Sequence, residues 1–285
     1  MMENNLLAIL FALLSALSIA WGTVIRHRVG TSVSAGSAPM LGTLRSLWWW
    51  VGLGAALLGY LLQIVALSFG TLLIVQPILV LSLMFTLPLS ARMAGRRISK
   101  AETTWAALLT VAVAVLVILG RPTSGDPHPP LHTWLLSLGI GVVVIGGILL
   151  FAMTRTGGTR ALLLGSMTGA IMGYLALMSK AVVDTWSASG LDGVLLSWEI
   201  YALLALAGIG TAVQQMSFNA AALKNSLPAM TIVEPLVAFS LGYAVLGERF
   251  QVNTSGGWFA MGVALAVMIG TTIALSRMSV TEEVR

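Results

Sequence analysis

Nine apolar stretches, each near the ~20 residues that a helix needs to cross a bilayer, follow one another along this chain. They run roughly Leu6–Ile25, Leu47–Leu67, Leu72–Ala91, Trp105–Leu119, Leu131–Phe151, Ala161–Val182, Ile200–Phe218, Leu227–Leu246 and Trp258–Leu275. In lipid every backbone N–H and C=O must find its partner inside the protein, and helix is the local way to do so. The sequence therefore predicts an all-α membrane protein of about nine transmembrane helices. Composition agrees, since charged residues make up 9% of the chain against about a quarter in a soluble domain. Cysteine is absent, which removes disulfides, thiolate metal sites and cysteine nucleophiles. The start MMENN carries Glu3 and no basic run, so the first stretch reads as a span and not as a cleaved signal.

The connections set the orientation. Ser68–Thr71 reads as a tight hairpin, and RPTSGDPHPP (Arg121–Pro130) is the one proline-rich linker. Arg28–Ser46 is rich in Gly and Ser and reads as a loop, with a re-entrant dip left open. Nine crossings put Arg26, Arg28, Arg45, Arg92, Arg96, Arg97, Lys100, Arg155, Arg160, Lys224, Arg277 and Arg285 on one side, and only Arg121, Lys180 and Arg249 on the other. By the positive-inside rule the C-terminus is cytoplasmic and the N-terminus external, in a multi-pass protein of the plasma membrane. Basic loops of this kind account for the pI of about 10.1, so the bilayer and not nucleic acid is the expected partner.

The chain also repeats itself. Ile74-Val75-Gln76-Pro77 lies over Ile232-Val233-Glu234-Pro235 at a shift of 158 residues, and Ser82-Leu83 then falls on Ser240-Leu241. Gly59–Gln63 lies over Gly210–Gln214, Arg26 over Lys180, and Trp105 opens its stretch as Trp258 does. These matches keep one order along the chain. They divide it into a first four-helix unit (1–120), a linker with a connecting fifth helix (121–160), and a second four-helix unit with its tail (161–285). An offset of five spans gives the two units opposite orientations. Inverted repeats of this kind are a hallmark of secondary transporters, which bind substrate near the midplane between the halves.

The stretch ending in LGER (Leu246–Arg249), the preceding TIVEP (Thr231–Pro235) and MTGAIMGYLALMSKAVVD (Met167–Asp184) resemble the drug/metabolite transporter superfamily, whose halves are called EamA-like. The resemblance spans about Leu6 to Leu275, and the four-plus-one-plus-four order is similar to that of NIPA-type magnesium transporters. It implies a transporter fold and no particular substrate. The carboxylate that the related small multidrug resistance proteins carry in their first helix has no counterpart in the first stretch here.

Glu234 is the only carboxylate well inside a predicted span, a costly placement unless it faces a polar interior. It is the first candidate for a proton- or cation-binding group, against a structural acid at the bend of Pro235. Gln76 is its neutral repeat mate, and Pro77 and Pro235 are expected helix irregularities, each leaving one carbonyl unpaired. Gln63 and Gln214 are candidate substrate-binding amides, or plain interhelical hydrogen bonds. Trp21 and Tyr174 are expected to line the central cavity. Lys180 has a bland account, an ion pair with Asp184 four residues on, and the glycines of the fifth stretch, Gly139–Gly147, are expected to permit close helix contact. His27, His128 and His132 do not share metal-ligand spacing, so no enzyme and no cofactor is expected. The sequence predicts a transporter of a small polar or cationic solute. A magnesium transporter, a non-transporting membrane subunit and a flippase of envelope lipid intermediates stay open as alternatives, as do any metal and the oligomeric state.

Overall fold

The computed structural model describes residues 2–33, 46–93, 95, 97–126, 129–220 and 223–281. Among them lie ten helical segments and one isolated bridge pair. The helices are α1 (Met2–Val33), α2 (Leu47–Phe69), α3 (Leu72–Val80), α4 (Ser82–Met93), α5 (Lys100–Gly120), α6 (Leu131–Met153), α7 (Gly157–Leu196), α8 (Trp198–Ala220), α9 (Leu223–Ala244) and α10 (Ser255–Thr281). α3 and α4 divide one apolar stretch, Leu72–Met93. Counting that stretch once, seven helices are long and apolar enough to cross a membrane. α8 and α9 add the shorter apolar stretches Trp198–Gln214 and Pro228–Ala244. This is the architecture of a multi-pass helical membrane protein.

Local chemistry explains several helix ends. α5 opens on a capping box, in which Ser99 Oγ accepts from the Glu102 N–H (3.1 Å) and Glu102 Oε2 accepts from the Ser99 N–H (2.6 Å). It closes at Arg121, whose φ of 38° is left-handed, with Pro122 next. The expected hairpin is present: the Gly70 N–H returns to the Ala66 carbonyl at 3.0 Å, and α3 opens at Leu72. Two helices outrun their apolar stretches furthest. α1 continues from Ile25 to Val33, so Arg26 and Arg28 are helical; residues 34–45, where a re-entrant dip was left open, lie outside the described residues. α7 runs to Leu196 through a break at Gly190 (φ 67°, ψ −159°). Polarity marks where lipid ends, but each further helical residue still gains a backbone bond.

Burial ranks the helices. Every residue of α3 is buried, and 72% of the apolar window of α7 is buried against 11% for α6. α3 and α7 are therefore central, and α6 is a rim helix facing lipid. α1 packs on α2, α3 and α4; α7 packs on α6, α8 and α9; α3 meets α9, and α5 meets α10.

Lipid supplies no hydrophobic drive between helices, so close backbone approach through small residues takes over. Gly165, Gly169 and Gly173 of α7 form such a row against α9. A Cβ at Gly165 would fall 2.6 Å from the Ser226 carbonyl oxygen, one at Gly169 2.7 Å from that of Met230, and one at Gly173 2.8 Å from Val237 Cβ. In α1 a Cβ at Gly22 would fall 2.6 Å from the Gly52 carbonyl oxygen of α2, and Ser15 Oγ donates to the Gly59 carbonyl at 2.7 Å. The expected contact through the glycines of α6 is largely absent. Nothing lies within 4 Å of a Cβ at Gly139, Gly146 or Gly147, and only Gly141 meets a neighbour, the Tyr174 ring. α6 faces lipid over most of its surface, so its glycines have no helix to approach.

Candidate functional site

Glu234 sits where α9 presses hardest on α7. Its backbone N and O would lie 3.1 and 3.0 Å from Cβ atoms at Gly169 and Gly173. Its side chain is half-buried, with no hydrogen-bond partner among the described residues. One turn earlier, Gln214 of α8 points its Nε2 at Met230 Sδ, 3.9 Å away. Thr231 Oγ1 lies 3.5 Å from Ser276 Oγ of α10. Glu234 and Gln214 thus belong to one region, walled by the glycine row of α7.

The other candidates lie elsewhere. Gln76 is 1% exposed inside α3, and its Nε2 has no partner; no hydrogen bond joins it to Glu234 among the described residues. Gln63 is buried in α2. The two aromatic residues do not line a shared central cavity. Trp21 is 47% exposed and lines an outward groove of about 390 Å³ with Leu14, Leu17, Leu58, Leu62 and Leu89. Tyr174 is buried against α6, where its OH donates to the Ser137 carbonyl at 2.6 Å. Its phenol finds that acceptor on a rim helix, which turns it away from the bundle centre.

The two prolines sit differently in their helices. α9 runs unbroken through Pro235. α3 runs through Pro77 and stops four residues later at Leu81, whose N–H bonds back to Ile78 O at 3.0 Å. Each proline removes a single helical bond, and neighbouring helices hold the rest in place. The side chain of His27 and all of His128 lie outside the described residues. Among the described residues no group of three or more His, Asp or Glu could hold a metal.

A second polar centre was not foreseen. Just past the end of α9, Gly247 (φ 69°) turns the chain so that the Glu248 N–H bonds to Gly242 O at 3.0 Å. The Glu248 side chain, 1% exposed, then lies over the start of α3 and accepts from the Leu72 and Leu73 N–H groups at 2.9 and 3.1 Å. It replaces the helix cap that Thr71 fails to supply: Thr71 Oγ1 is buried and unpartnered. Burial pushes the Glu248 carboxyl up to about 7; the Leu72 and Leu73 N–H groups and Lys180 oppose this, and Asp184 adds to it. Lys180 pairs with Asp184 at 2.9 Å, as its spacing suggests, and also donates to the Leu67 carbonyl at the end of α2, 3.0 Å away. Beside this cluster the segment after α5 crosses the chain after α9. The Thr123 N–H bonds to Arg249 O at 2.9 Å and the Asp126 N–H to Leu246 O at 2.7 Å.

The ends of α2, α5 and α9, the start of α3 and the middle of α7 therefore meet at one side of the bundle. Fold and polar interior together define a polytopic α-helical membrane protein with two separated acidic centres. A Corynebacterium glutamicum protein named "Uncharacterized protein Cgl0250/cg0304" is 57% identical over 282 residues, covering 98% of this chain and 97% of its own length. The chain belongs to the same family as that protein. No family model matches the chain, and no solved structure matches it.

Proposed function

We propose that the protein is a secondary transporter of the drug/metabolite type, moving a small polar or cationic solute by rocking two inverted four-helix units. The observation that carries this reading is that most helix pairings recur when the units are exchanged, with exceptions that include α2–α7 and α4–α10. α1–α2 corresponds to α7–α8, α1 with α3 and α4 to α7–α9, and α3–α5 to α9–α10, while α3–α9 and α5–α10 correspond to themselves. The small-residue rows support it as well: Ala8, Ala12, Ala16 and Ala20 of α1, all at most 1% exposed, match Ala161, Gly165, Gly169 and Gly173 of α7 in spacing. In this reading Glu234 and Gln214 flank the solute path, and the resemblance in LGER and TIVEP points the same way. In this reading the protein crosses the plasma membrane nine times, and the positive-inside rule puts its N-terminus outside and its C-terminus in the cytoplasm.

The test is flux. Purified protein in liposomes holding a pH-sensitive dye and a Mg²⁺ indicator is challenged with Mg²⁺ and with a panel of small polar and cationic metabolites. The expected result is solute-driven signal that Glu234→Gln lowers by at least ~10-fold, as for loss of a buried ionic ligand. A response to Mg²⁺ alone would select the NIPA-type reading, in which the ion keeps most of its waters. No response from correctly inserted protein, with scrambling of a fluorescent lipid instead, would replace the transporter by a flippase. Full transport by Glu234→Gln would remove Glu234 from the path. A tag at the N-terminus reached only from the cytoplasm would overturn the orientation.

A further inference from the structure

We infer that Glu248 and Lys180 form a latch that closes one face of the molecule by tying the C-terminal helices α7 and α9 to the N-terminal helices α2 and α3. The inference rests on the transport reading for its purpose, since a rocking mechanism must open each face in turn. Its evidence is separate and geometric. Two charged side chains from the second half each bind a helix end of the first half, with matched polarity. The Glu248 carboxylate takes the N–H groups at the positive start of α3, and the Lys180 ammonium takes a carbonyl at the negative end of α2. Both interactions lie side by side, because only Gly70 and Thr71 separate the two helices. Gly242 leaves the space: a Cβ there would lie 3.0 Å from Glu248 Oε2 and 3.4 Å from Leu72 Cβ. Nothing about α9 requires a glutamate at 248 for its own folding; its partners are 175 and 176 residues away in the chain.

A latch of this composition responds to protons. The charged groups around Glu248 are Lys180 and Asp184 from α7, while α3 offers only its backbone donors. Arg249 is turned outward, its guanidinium over the Tyr243 ring and donating to the Tyr243 hydroxyl. Asp126 lies on the neighbouring crossing segment. The closed form holds the Glu248 acid at about 7, above its ordinary 4.5, whereas opening would hydrate it and return it toward the ordinary value. Closure therefore binds the proton. The closed state is favoured most below about 4.5 and loses ground as pH rises through about 7, by up to ~300-fold in the closed-to-open ratio. The buried Thr71 hydroxyl beside Leu72 is an unpartnered group of the kind a protonated carboxyl can use.

The chain has no cysteine, so a single introduced thiol reports accessibility without background. Leu73→Cys, buried behind the latch, is labelled in proteoliposomes with a membrane-impermeant maleimide, and rates are normalised at each pH to Ser68→Cys, which is exposed in the same turn. The expected normalised rate is at least ~10-fold higher at pH 8.5 than at pH 5.5. Added Glu248→Ala should make labelling fast at both pH values, and Glu248→Gln, an isosteric mimic of the protonated acid, should keep it slow at both. Slow labelling in Glu248→Ala, with Ser68→Cys reporting normal insertion, would overturn the latch. Fast labelling in Glu248→Gln, or one rate at both pH values in the parent, would overturn the role of the proton. Labelling needs no substrate, so a failure to find flux would sink the transport reading and leave this result standing.

Discussion

Gly169→Ala adds one methyl group where α7 and α9 touch backbone to backbone. The new Cβ would start 2.7 Å from the Met230 carbonyl oxygen, 3.0 Å from Val233 Cβ and 3.1 Å from the Glu234 nitrogen. Two of these neighbours are backbone atoms and cannot rotate away. Reaching ordinary contact means going from 2.7 to 3.4 Å, so α9 must retreat by about 0.7 Å along that vector. Overpacking of this kind costs ~1–3 kcal/mol, and the better helix propensity of alanine returns ~1 kcal/mol. The net expectation is a loss of ~0–2 kcal/mol, and of ~1–3 kcal/mol relative to an alanine that meets no neighbour. Gly139→Ala is the matched control: its Cβ meets nothing within 4 Å, so it should gain up to ~1 kcal/mol. Reversible unfolding in mixed micelles, followed by helical circular dichroism against the fraction of denaturing detergent, measures both. If Gly169→Ala proved as stable as Gly139→Ala, the glycine row would not be what sets the α7–α9 distance.

Two further substitutions probe single contacts. Tyr174→Phe should leave the Ser137 carbonyl without its 2.6 Å donor and lower stability by ~0.6 kcal/mol in the same micelle titration, the usual size of an interhelical bond in lipid. Ser99→Ala should remove one arm of the α5 capping box and cost ~1 kcal/mol, seen as faster hydrogen exchange confined to the first turn of α5, with Ser99→Thr close to wild type.

Much of the fold was legible because lipid leaves the backbone so few options. The apolar stretches, the hairpin at Ser68–Thr71 and the Lys180–Asp184 pair all follow from local spacing. Helix ends beyond the apolar limits were not legible, since α1 and α7 continue past the residues that lipid would select. Close packing was misassigned to Gly139–Gly147, while Gly165, Gly169 and Gly173, at the equally visible spacing of four, went unnoticed. A glycine row says that something approaches, and only the fold says which helix does. Glu248 shows the limit most sharply. LGER stood out as a resemblance, yet the chemistry of its glutamate depends on two N–H groups far away in the chain.

That separation has a consequence for how the protein is made. Leu72 and Leu73 emerge early in synthesis, and their buried N–H groups wait for a carboxylate translated about 175 residues later. At ~5–20 residues per second that is an interval of roughly ten to thirty seconds. For that time the first half sits in the membrane with the start of its most buried helix uncapped. Either water or the insertion machinery must serve those donors in the meantime. A chain truncated before α9 should therefore insert, yet stay prone to proteolysis at Ser68–Thr71, where the full chain is protected.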